Sequence, residues 1–73
     1  MDERQELETA IEVLQMKKVM ATKKAKRGEF SKLKEAIETL NAEEKKIYEN
    51  DETVMRKVLT EYLKEVREYM EEG

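Results

Sequence analysis

The chain has no cysteine, no histidine, no proline and no tryptophan, and only two glycines in 73 residues. Each absence closes off a kind of chemistry. Without cysteine there is no disulfide and no thiolate, and without histidine as well the usual zinc ligand sets cannot be assembled. The same two gaps remove the commonest general bases and nucleophiles. The lone serine, Ser31, has no histidine to activate it and reads as a helix cap. Gly28 and Gly73 are too far apart to form a phosphate-cradling loop. Asn50-Asp51-Glu52 lacks the alternating ligands, central glycine and closing glutamate of a calcium loop. Carboxylate neighbours such as Glu43/Glu44 stand at predicted helix starts, where the helix dipole favours negative charge. Tyr48, Tyr62 and Tyr69 lie within apolar stripes and read as half-buried packing residues. The expectation is a protein that is not an enzyme and uses no cofactor, metal or small-molecule substrate.

Long apolar runs are missing too, and nothing in the chain approaches the length that spans a bilayer. Residues 1–6 are acidic and carry no apolar segment of the secretory type. Together with the missing cysteines, this sets the expected compartment as the cytoplasm, or the host cytoplasm for a viral chain.

What the sequence does hold is charge, 45% of residues, and apolar side chains, 38%. A breaker-poor mixture weighted to Glu, Lys, Leu and Ala favours helix nearly throughout. The predicted fold is all-α, a three-helix bundle or helical hairpin in a single domain over residues 1–73. Helix 1 is expected over residues 3–27, with acids in its first turns, bases in its last and Gly28 as its stop. Helix 2 is expected over 31–49, capped by Ser31, along a seam of Phe30, Leu33, Ile37, Leu40 and Ile47. A break is allowed at Asn41, where Asn41 and Glu44 resemble a capping box. Helix 3 is expected over 52–71, its start fixed by Asn50-Asp51, with complementary pairs such as Lys57/Glu61 along its polar side.

Helices 1 and 3 carry more apolar surface than one narrow stripe. Leu7, Ala10, Ile11, Leu14, Ala21 and Ala25 line one side of helix 1; Val13, Met16 and Met20 fall on nearly the opposite side. The apolar set of helix 3 covers about half its circumference, against the ~100° stripe of an ordinary surface helix. A chain this short buries only about 60% of its unfolded surface, and without disulfide or metal it needs other support. A dimer is therefore expected, through Val13, Met16, Met20, Met55, Leu59, Leu63 and Met70. The competing arrangement puts helix 1 at the centre of a bundle, covered on both sides by its own chain.

The net charge of −3 conceals three blocks: −4 over residues 1–16, +7 over 17–34 and −6 over 35–73. The basic block holds Lys17, Lys18, Lys23, Lys24, Lys26, Arg27, Lys32 and Lys34. It could contact phosphates of a nucleic acid, or an acidic partner, and the excess of lysine over arginine implies backbone contact with little base discrimination. Two plainer roles compete: a solvated helix end, or pairing with the acidic block of an antiparallel second copy. Residues 30–49 fail as a helix-turn-helix, because the second piece leads with Glu43 and Glu44 where DNA contacts are made. A membrane-surface helix is set last, because no tryptophan accompanies the lysines. The sequence points to a small helical adaptor or regulator that binds protein, with a nucleic-acid-associated regulator of phage or plasmid type as the alternative.

Overall fold

The computed structural model describes residues 3–72, which are helical nearly throughout and contain no strand. Helix α1 spans Glu3–Lys24 and α2 spans Phe30–Tyr48. A third rod follows, built from α3 (Glu52–Lys57), a π-helical turn (Val58–Tyr62) and α4 (Leu63–Glu72). The fold is an all-α bundle, as the composition implies.

α1 stops three residues short of the expected end. Residues 26–29 instead close a turn of their own: the Lys26 N–H donates to the Glu29 carboxylate at 2.9 Å, and the Glu29 N–H donates to the Lys26 carbonyl at 3.0 Å. Gly28 sits in that turn at φ 94°, a conformation costly for any residue with a Cβ. Helix α2 starts one residue before Ser31, which lies exposed in the first turn, and Glu29 is the capping position. No break occurs at Asn41; the helix runs straight through it.

The second boundary falls where Asn50-Asp51 places it. Asn50 adopts the left-handed conformation at φ 62°, its N–H donates to the Ile47 carbonyl, and the Asp51 N–H donates to the Lys46 carbonyl. Those two bonds form a Schellman motif, with asparagine in the role glycine usually takes. Asp51 then turns to the next helix, its side chain accepting the Val54 N–H at 3.1 Å.

The third rod shows why the π turn is there. Val54, Val58, Tyr62, Val66 and Met70 repeat every four residues. In an α-helix of 3.6 residues per turn such a row drifts, and Val58 and Val66 would lie roughly 80° apart. A π turn rotates less per residue and swings the row back. Val58 and Val66 are accordingly both buried. The Thr60 hydroxyl donates to the Arg56 carbonyl at 2.7 Å within the same stretch.

α1 is the central helix. Leu14 and Ala10 are fully buried, and Val13 and Met20 nearly so, between α2 on one flank and the third rod on the other. The two apolar sides of α1 are thus both covered by the chain itself, so Val13 and Met20 are not free to form the expected interface. The core is completed by Leu40 and Ile47 from α2 and Val58 and Val66 from the third rod. α2 runs antiparallel to α1 and has no substantial packing against α4. The molecule measures 41 × 27 × 15 Å, wide and thin rather than round.

Candidate functional site

Charge inside the bundle is arranged around Tyr62, at the end of the π turn. Its hydroxyl donates to the carboxylate of Glu43, which lies 2.8 and 2.9 Å away through its two oxygens. Glu43 is buried, and Lys57 Nζ approaches the same carboxylate at 3.3 Å. Lys17 and Lys57 stand over the Tyr62 ring at 4.8 and 5.3 Å from its centroid, within cation–π range. Lys17 also forms an ion pair with Glu65 of α4. On the other flank Lys18 pairs with Glu44 at 2.9 Å, and Gln15 donates to the same carboxylate. Burial, then the bond donated to Glu43, raises the Tyr62 phenol above its ordinary 10.0. The Tyr62 hydroxyl, then Glu43, raises Lys57 above 10.5. Both shifts move away from neutrality, so near pH 7 the phenol stays protonated and the amine stays charged. This cluster is suited to tying helices together, and poorly suited to passing protons.

The sequence did not single out Glu43, because a carboxylate next to Glu44 at an apparent helix start looks solvated. Lys57 reaches across to it rather than to Glu61 on its own helix. The four-residue repeat ending at Tyr62 and Val66 was the available signal that this rod departs from α geometry there. Such π insertions are frequent at functional sites.

The basic block divides in two. Lys17 and Lys18 are only partly exposed and are held by acids of α4 and α2. Lys23, Lys24, Lys26, Arg27, Lys32 and Lys34 are exposed around the α1–α2 turn. Of these six, Lys32 approaches Glu29 at 3.7 Å, and no other forms an ion pair among the described residues. Beside them a groove opens where α2 leaves the third rod, floored by Ala21, Ala36 and Leu40 and edged by Lys17, Lys24 and Tyr62.

The expected interface residues are likewise divided. Met16, Met55, Leu59 and Leu63 are partly buried against the core, and Met70 is 61% exposed. Phe30 is 75% exposed although it belongs to the predicted seam. α1 ends at Lys24, so the first turn of antiparallel α2 projects past it and Phe30 has no helix to lie on. Among the described residues no group of three or more carboxylates could hold a metal ion, and no helix is long and apolar enough to cross a membrane.

No protein-family model matches the chain, and no curated protein or solved structure matches it.

Proposed function

We propose that this protein is a small non-enzymatic helical adaptor or regulator that acts by associating with other protein chains, as a homodimer, in the cytoplasm or in a host cytoplasm. The observation that carries this reading is an excess of surface. The chain exposes 5785 Å², against about 4,700 Å² for a compact folded monomer of its size. Its radius of gyration is 12.7 Å, against about 11 Å for a compact domain. Part of that excess is apolar: Phe30, Tyr48, Met70 and Val19 are all substantially exposed. An apolar surplus on a small domain is what an interface requires. Light scattering from micromolar to millimolar chain concentration tests the reading. The mass is expected to rise from one chain to two; a mass that stays at one chain throughout overturns the homodimer.

A second reading has its own support in the exposed lysines and Arg27 around the α1–α2 turn. Under it the protein contacts nucleic-acid phosphates, without base-specific discrimination. Binding to a labelled duplex would then fall steeply with salt and be lost in Lys23→Glu with Lys24→Glu. Absence of binding at low salt removes it.

A further inference from the structure

We infer that the open end of the bundle is where two copies of the chain meet, the basic α1–α2 turn of each lying against the acidic end of α4 of the other. The inference rests on the self-association proposed above and names its surface. Both lobes stand at the same end of the molecule, because α1 and the third rod run parallel: Lys24 lines one groove with Glu68 and Glu72. Residues 23–34 carry a net +5, and residues 66–72 a net −2. Midway along the bundle Lys17, Lys18 and Lys57 each meet an acid of another helix. At this end the one ion pair among the described residues is Lys32 with Glu29, inside the α1–α2 turn. Among the described residues Lys24, Arg27, Lys34, Glu68, Glu71 and Glu72 form no ion pair within the chain.

A face bearing both signs side by side is self-complementary under a two-fold axis, and such an isologous contact closes at two copies. Apolar surface lies there as well: Phe30 and Met70, 75% and 61% exposed, are both at this end. The surplus over a compact monomer, about 1,000 Å², is of the order that one partner buries in a standard interface, roughly 800 Å². A nucleic acid is a poorer occupant, because phosphates drawn to the lysines would be brought up against Glu68, Glu71 and Glu72.

Two charge-reversal variants test the contact by sedimentation equilibrium: Arg27→Glu with Lys34→Glu, and Glu68→Lys with Glu71→Lys. All four positions are exposed, and helicity by circular dichroism checks that the fold is kept. Each variant alone is expected to self-associate about tenfold more weakly or worse, and an equimolar mixture is expected to regain the dimer. The wild-type dimer is expected to weaken as salt is raised from about 50 to about 500 mM. If the wild type dimerises while both variants dimerise equally well, or if the mixture shows no recovery, this surface is wrong and the homodimer stands elsewhere. A wild-type dimer unmoved by salt also overturns the charge pairing. A wild-type mass of one chain at millimolar concentration overturns the homodimer itself.

Discussion

Where the chain turns from α2 into α3, Asn50 closes one helix, Asp51 opens the next, and Leu14, Ile47 and Val58 are fully buried nearby. Where it turns from α1 into α2, the first helix stops early, Phe30 stands out in solvent and six basic side chains crowd one turn. The first end meets the needs of its backbone within one chain and buries most of its apolar side chains, Tyr48 excepted. The second leaves charge and apolar surface unmatched, at some cost in stability to a chain that has little to spare. Tyr62 marks the border, since its hydroxyl bond to Glu43 ties α2 to the third rod. Under the proposed self-association, folding and association would draw on different halves of one small bundle.

The strongest way to break the comparison is to damage the closed half. Leu14→Ala is expected to lose about 3 kcal/mol, within the range for leucine truncation in a core and a large part of the stability of a domain this size; urea unfolding measures it. A loss below about 1 kcal/mol would mean that α1 is not the centre of the core. Tyr62→Phe at the border is expected to cost about 1–2 kcal/mol, because one partner of a buried carboxylate is removed.

The same tyrosine sets a pH dependence. Its folded pKa is raised, so the stability it confers is intact below the ordinary value of 10.0 and is lost as pH rises through the folded value. Lys57, raised above 10.5, acts in the same direction. As pH rises above the ordinary phenol value of 10.0, the wild-type unfolding midpoint is therefore expected to fall more steeply than that of Tyr62→Phe. Parallel curves would show that the phenol contributes nothing special. Asp51→Ala is expected to cost about 1 kcal/mol through the lost cap, read from thermal melts. At the open end, Phe30→Ser in dilute monomer is expected to change stability by no more than about 0.5 kcal/mol. A larger loss would make Phe30 part of the fold rather than of an interface.

The sequence was informative where the signal is local. Helical class and the Asn50-Asp51 boundary follow from residue types and neighbours; the bond from the Val54 N–H picks Asp51 over Asn50 as the cap. It was misleading where distant partners decide. Asn41 and Glu44 resemble a helix start, yet Glu44 is engaged by Lys18 and Gln15 across the bundle, and the helix continues. Val13 and Met20 look like surplus in one helix viewed alone, but the third rod covers them. Phe30 fits its seam, and only the early end of α1 leaves it bare. Of the eight basic residues, nothing local separates Lys17 and Lys18 from the rest; the acids that hold them lie 48 and 26 residues away in sequence.

Hydrogen–deuterium exchange of the wild type at low and high chain concentration tests the division of labour most directly. Added protection is expected in residues 23–34 and 66–72 as concentration rises, with residues 46–56 unchanged. Protection gained at 46–56 instead, or no concentration dependence anywhere, would contradict it.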